Sequence, residues 1–410
     1  MAGSASSSEF PVADRKAWNL RGLSVIAFAH GLSDFYSGIV PFAIFYVVTR
    51  AGLSPAYQGA LGFLWYLTSS VVQPFFGAYT DRHGRWWFLP SAVGITAIAV
   101  SLCGVATGLA ALATCIIVGG IGSAIMHPEA GKYSAMLSGT RRASGISIFQ
   151  LGGQIGYAIG PALVAILLAR FGGIGTLVLL PPGALLVAIL FATMRGVDRE
   201  AARDHGEATT NAPVKPGGRD RVGVGLLVAS TGLRYFVTAA FMTYLPNALV
   251  GRGASLAAAG QIVSAFLLVS GIGLLAGGYL ADRFGAIRVS VASLCAAVPC
   301  LLVFSLLPGS PGIAFLLLGS VLLAIQNAPG VALVQAMLPK NLGMALGLMN
   351  GVAFGAGSAF VAVLGFAVAR YGAAPTLTEV AWVPLIAALP FALVGLRARL
   401  RSRPVNVIGA

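Results

Sequence analysis

The chain holds 410 residues, 57 % of them hydrophobic and only 9 % charged, with a net charge of +14. Soluble domains carry about 25 % charged residues, so a water-facing surface is excluded and lipid is the solvent of most of the chain. The basic excess does not mark a nucleic-acid partner, because lysines and arginines fall in short loops between apolar runs rather than on one soluble face.

Residues 1–19 form a polar, Ser-rich tail, and the apolar run after it is too long for the core of a cleavable signal. That run, 20–48, is long enough to cross a bilayer, which takes about 20 residues. It carries Tyr36 and the pair His30 and Asp34, four apart and so on one helix face. A carboxylate inside the membrane is costly and is a functional candidate by default. In a low-dielectric cavity it can load and release a proton near neutral pH; the plainer alternative is a structural hydrogen bond. The second segment, 55–79, leads into a loop with Gly77, Asp81, Arg82, Gly84 and Arg85. Here Gly77 allows a close helix approach, Asp81 can pair with a basic group or a helix N-terminus, and the arginines can bond C-terminal carbonyls. Such contacts would gate one side of the protein, unless the loop is only a basic turn. The third segment is 87–108.

The fourth, 111–136, holds His127, Pro128 and Glu129. Glu129 is the second intramembrane acid, either a proton carrier or the partner of Lys132, Arg141 or Arg142. The two histidines are proton relays or polar packing residues. The fifth segment, 144–169, carries Gln150 and Gln154, with Gly152, Gly156 and Gly160 on one face for close packing. Pro161 breaks a helical hydrogen bond there and bends the segment. The sixth is 174–195. Residues 196–221 are polar, hold five of the chain's twelve acids together with Pro213 and Pro216, and read as a flexible linker without core-forming residues. Six more apolar segments follow, at 222–250, 256–281, 286–307, 312–338, 342–369 and 376–396, and then a basic tail, 398–410. Arg234 lies deep in the seventh segment. It can attract an anionic substrate or neutralise Asp34 or Glu129. Gln326 and Asn327 in the tenth join Tyr36, Gln150 and Gln154 as candidate cavity hydrogen-bonders, or as glue between helices. The cysteines Cys103, Cys115, Cys295 and Cys300 sit in apolar runs without metal spacing, so no metal or cofactor is expected. No nucleophile–base or metal cluster points to an enzyme.

The halves repeat with an offset of about 201 residues. Gly77, Asp81, Arg82 and Gly84 recur as Gly278, Asp282, Arg283 and Gly285; Pro128 recurs as Pro329; Ala169-Arg170-Phe-Gly172 recurs as Ala369-Arg370-Tyr-Gly372. Six segments per half give the two copies one orientation, a parallel repeat. With the N-terminus inside, all but five of the lysines and arginines face the cytoplasm: Arg50, Arg170, Arg252 and Arg370 face out and Arg234 stays in the membrane. The expected fold is an all-α membrane protein of twelve transmembrane helices in two parallel six-helix bundles, 20–195 and 222–397, with both termini cytoplasmic.

The loop after the second segment resembles that of the major facilitator superfamily, and the parallel repeat fits it. His30-Gly-Leu-Ser-Asp34-Phe-Tyr-Ser, Met126-His-Pro-Glu129-Ala-Gly-Lys132 and Phe149-Gln-Leu-Gly-Gly-Gln154 through Gly160-Pro161 resemble the fosmidomycin-resistance-type facilitators. That resemblance implies a bacterial inner-membrane transporter, usually a monomer, that exports a drug or metabolite against proton entry. Fosmidomycin is an anionic phosphonate, which suits Arg234. On this expectation Asp34 and Glu129 carry the proton step, assisted by His30 and His127. Uptake of a small organic anion with protons is the alternative within the same fold.

Overall fold

The computed structural model describes residues 19–138, 142–205, 220–338, 345 and 347–401. The described secondary structure is helical throughout. The first half contains α1 (Leu20–Arg50), α2 (Ala56–Tyr66), α3 (Gln73–His83), α4 (Phe88–Leu102), α5 (Leu109–Leu137), α6 (Arg142–Phe171) and α7 (Leu180–His205). The second contains α8 (Arg221–Gly251), α9 (Leu256–Phe284), α10 (Ala286–Leu306), α11 (Gly309–Ile325), α12 (Asn327–Met337), α13 (Ala353–Tyr371), α14 (Ala373–Val380) and α15 (Val383–Arg401). Side chains cap several starts: Asn19 accepts from the Gly22 amide, Asp220 from Gly223 and Ser255 from Ala258.

Ten stretches among the described residues are long and apolar enough to cross a membrane. One of them, Ser147–Ala201, runs for 55 residues and covers the fifth and sixth expected segments. The second expected segment is absent from the ten because a π-helical turn, Leu67–Val71, splits it into α2 and α3. The ten therefore agree with twelve crossings. The outer surface is an apolar skin: Phe75 is 75 % exposed and Phe366 70 %. Continuous apolar exposure of this kind belongs against lipid.

Backbone contact between α1 and α6 sets the first half. Gly152 lies against the Ala27 carbonyl, Gly156 against that of Gly31 and Gly160 against that of Phe35. The three glycines expected on one face do share one, and α1 is what they meet. Ala162, just past Pro161, donates its amide to Ser264 Oγ at 2.8 Å, so the bent backbone finds a partner on α9.

The expected linker needs correction. Helix α7 continues to His205, so residues 196–205 are helical. Val197 and Ala201, one turn apart, are buried. Tyr133 donates to Asp198 at 2.6 Å, and Asn19 donates to Glu200 at 2.7 Å. These acids anchor a helix end rather than solvate a loop. Tyr133→Phe removes a bond to a charged group and is expected to cost about 1.5–3 kcal/mol, read as a lower melting temperature in detergent; unchanged melting would show that the bond contributes nothing. Residues 1–18, 206–219 and 402–410 lie outside the described residues, as do Arg141 and the side chains of Asp81 and Arg142.

The halves meet along α2 with α13 and α6 with α9. Gly59 of α2 lies against Tyr244 and Val361, and Gly260 of α9 against Pro161 and Ala165. Hydrogen bonds joining the halves between described residues start from Gln154, Tyr157, Ala162 and Tyr244. All lie at mid-height or toward the end away from the 82–85 and 282–285 loops.

Candidate functional site

His30 and Asp34 on α1 meet His127 on α5. His30 Nε2 lies 3.1 Å from Asp34 Oδ2, and His127 Nε2 lies 3.3 Å from Asp34 Oδ1. The other nitrogen of each ring is fixed by backbone. His30 Nδ1 lies 2.8 Å from the Phe149 carbonyl, and His127 Nδ1 lies 2.8 Å from the Ser123 carbonyl. The Phe149 ring stacks on His30 at 4.0 Å, and Gly153 leaves the space that the His30 ring fills.

This geometry counts protons. A carbonyl only accepts, so both Nδ1 atoms carry hydrogen. Each Nε2 then faces a carboxylate oxygen, and two lone pairs repel at that separation unless a hydrogen lies between them. With both contacts closed, a hydrogen lies in each, so the trio has room for two protons. With both removed, it is a lone carboxylate beside neutral rings. The side chain of His127 is 26 % exposed against 4 % for His30, so His127 is the ring of the pair that lies more open to its surroundings. The ligand atoms of the trio lie within 4.8 Å of one another, so this is also the place among the described residues that could hold a metal ion.

Glu129 is not in the trio. It is fully buried, 3.7 Å from Lys132 Nζ, beneath the Gly84 turn. Residues two apart on a helix point about 200° apart, so His127 and Glu129 cannot share a site on α5. The same spacing turns Tyr36 away from Asp34. Tyr36 is 1 % exposed, and its hydroxyl donates to the Leu179 carbonyl at 2.9 Å, closing the first bundle rather than lining a cavity.

In the second half, Arg234 is 4 % exposed. It lines a small cavity with Thr238, Phe266, Ser270, Ser320, Leu323 and Ala324. It forms no ion pair with Asp34 or Glu129, so neutralising those acids is not its role in this structure. Gln154 donates to the Leu267 carbonyl at 2.7 Å and to Ser270 Oγ at 3.3 Å, which places it at the seam beside this cavity. Gln326 is buried and donates to Thr231 at 3.1 Å; Asn327 is half-buried and Gln150 exposed. The sequence reading missed Thr238, although it lies one turn from Arg234. It also missed Tyr157, which sits in electrostatic reach of Asp34 and donates to Met242 across the seam.

A sequence model of the Major Facilitator Superfamily matches residues 24–246 and again 227–408. An uncharacterised MFS-type transporter of Bacillus subtilis, YfnC, is 30 % identical over 383 residues, covering 90 % of this chain and 92 % of its own. The chain belongs to the Major Facilitator Superfamily. It is thus a multi-pass membrane transporter of a small molecule, not an enzyme. Among relatives of this facilitator, the fosmidomycin resistance protein of Escherichia coli is 28 % identical over 353 residues, 84 % of this chain and 85 % of that one. A solved bacterial homologue of the human lysosomal transporter Spinster superposes with a TM-score of 0.70 at 17 % identity, covering 95 % of this chain and 99 % of its own. The nucleoside transporter NupG gives 0.69 at 17 % identity, over 92 % and 99 %.

The facilitator's two copies also match in space. Gly77 of α3 packs on Pro128 of α5, and Gly278 of α9 on Ala328 of α12, one residue before Pro329. Arg82, Arg85, Asp282 and Arg283 are exposed. Arg283 approaches the Tyr279 hydroxyl on its own helix at 3.4 Å, and no hydrogen bond or ion pair between described residues links the two loops.

Proposed function

We propose that this facilitator is a proton-coupled exporter of a small anionic drug or metabolite. It works by alternating access as a single chain in a bacterial inner membrane, with both termini in the cytoplasm. The observation that carries the reading is the trio of His30, Asp34 and His127, which has room for two protons and leaves His127 partly exposed. With that orientation, the hydrogen bonds between the halves among the described residues lie at mid-height or toward the periplasm, which supports a state that opens inward. Protons then leave the trio to the cytoplasm as substrate enters beside Arg234, Gln154 and Asn327. In this reading Glu129 holds the 82–85 loop to α5, and the loop residues, with Asp282 and Arg283, act when the cytoplasmic side shuts.

Accumulation of labelled fosmidomycin in energised cells tests this. Cells with the native protein are expected to accumulate several-fold less than cells with Asp34→Asn, and collapse of the proton gradient should erase the difference. Greater accumulation with the native protein would turn the reading to uptake. Equal accumulation would remove fosmidomycin as cargo.

A further inference from the structure

The Arg234 guanidinium is buried, yet its Nε and Nη2 have no hydrogen-bond partner among the described residues, and no carboxylate there lies within ion-pair distance. A buried charge left unsatisfied costs far more than a paired one. The Tyr235 ring packs on its face with Arg234 Cζ 3.9 Å from the centroid, so Tyr235 answers the plane of the guanidinium, while Nε and Nη2 stay without a hydrogen bond among the described residues. Nε and Nη2 are the two nitrogens of one edge, the side-on fork that meets two oxygens of a carboxylate or phosphonate.

The cavity they border holds about 40 Å³. At about 10–15 Å³ per water on this measure, that is room for about three waters, or for one oxyanion group and not a whole drug. Its other polar walls are the hydroxyls of Thr238, Ser270 and Ser320. These now donate to carbonyls of their own helices, at 3.3 Å for Thr238, 2.7 Å for Ser270 and 2.8 Å for Ser320. Each can rotate to donate inward. Phe266 closes an apolar side. Ser270 also accepts from Gln154 of the first half at 3.3 Å, so an anion drawing on the Ser270 hydroxyl acts on a bond that joins the halves.

We infer that Arg234, Thr238, Ser270 and Ser320 form an oxyanion subsite that takes the phosphonate or carboxylate end of the substrate, with the rest of the molecule left in the space between the bundles. This rests on the transporter reading for its substrate and on the unpartnered guanidinium edge for its chemistry. The same chemistry fits a free inorganic anion, and the test separates the two sources.

Purified protein in detergent, at fixed pH with no gradient, is titrated by calorimetry with methylphosphonate, inorganic phosphate, fosmidomycin and the neutral ester dimethyl methylphosphonate. The anions are expected to bind and the ester not. Fosmidomycin binding tighter than phosphate assigns the site to the substrate's end group; phosphate binding as tightly supports the site and assigns it to a resident inorganic anion. Arg234→Lys, which keeps the charge and loses the fork, should weaken methylphosphonate by about tenfold or more, the equivalent of one charge-assisted bond. Thr238→Leu fills the cavity, leaves the guanidinium in place and should abolish binding, which covers the case in which an Arg234 variant fails to fold. Equal binding of ester and anion, unchanged binding in both variants, or no anion binding by the native protein would overturn the inference. Because no gradient is present, failure of proton coupling would leave these results standing.

Discussion

Asp34→Asn is expected to fold and to bind substrate but to lose gradient-driven transport by at least about tenfold. The amide fits the same space with different protons. Its oxygen accepts from a protonated His30, and its NH2 donates to the lone pair of a neutral His127. The trio then stays closed with one proton, and the step between two protons and none disappears. Two charge-assisted contacts are worth about 1.5–3 kcal/mol each, and loss of even one corresponds to about a factor of ten. In proteoliposomes with an imposed pH difference, the variant should show slow net transport while substrate exchange at equal pH persists. Net transport within twofold of the native rate would remove Asp34 from the coupling step. Glu129→Gln makes a useful contrast: Glu129 is sealed beneath Gly84 beside Lys132, so its loss should lower stability before it touches coupling.

Gly156→Leu should give no monodisperse protein. A side chain there would run into the backbone of Gly31, and the neighbouring Gly152 and Gly160 pin the same two helices. Neither backbone can give way alone, so the cost exceeds about 3 kcal/mol. Gly131→Ala is the control: nothing lies within 4 Å of an added carbon, and alanine in place of glycine in a helix is favourable by up to about 1 kcal/mol. Size-exclusion profiles and melting in detergent separate the two. A well-behaved Gly156→Leu would mean that α1 and α6 do not touch as described.

The helices, the parallel repeat and the glycine face were legible because each follows from local chemistry: apolar run length, a repeated motif, spacing by four. The pair His30 and Asp34 was legible for the same reason. That His127 completes it is a fact of tertiary packing between α1 and α5, which no spacing encodes. Two assignments could have been refined from helix geometry alone. Glu129 reads as a partner of Asp34 because both are intramembrane acids, and Tyr36 as a cavity hydrogen-bonder because it is polar, although a two-residue offset turns Glu129 from His127 and Tyr36 from Asp34. The acids of 196–205 read as linker because composition alone does not reveal that Tyr133 and Asn19 wait for Asp198 and Glu200.

The π-helical turn at Leu67–Val71 has a consequence for partner choice along one crossing. An extra residue in a helical turn rotates everything beyond it by about 100°. Before the turn, Gly59 and Gly62 of α2 look at Tyr244 and Thr243 in the other half; after it, Gly77 of α3 looks at Pro128 in its own. Gln73 Nε2 bonds the Ser69 carbonyl at 2.7 Å, and Thr68 Oγ1 bonds the Leu64 carbonyl at 2.8 Å, so the break carries its own hydrogen bonds into the lipid zone. One crossing thus serves two allegiances, the upper half to the seam and the lower half to its own bundle, and shortening the turn by a residue would swing Gly77 off Pro128 and merge them.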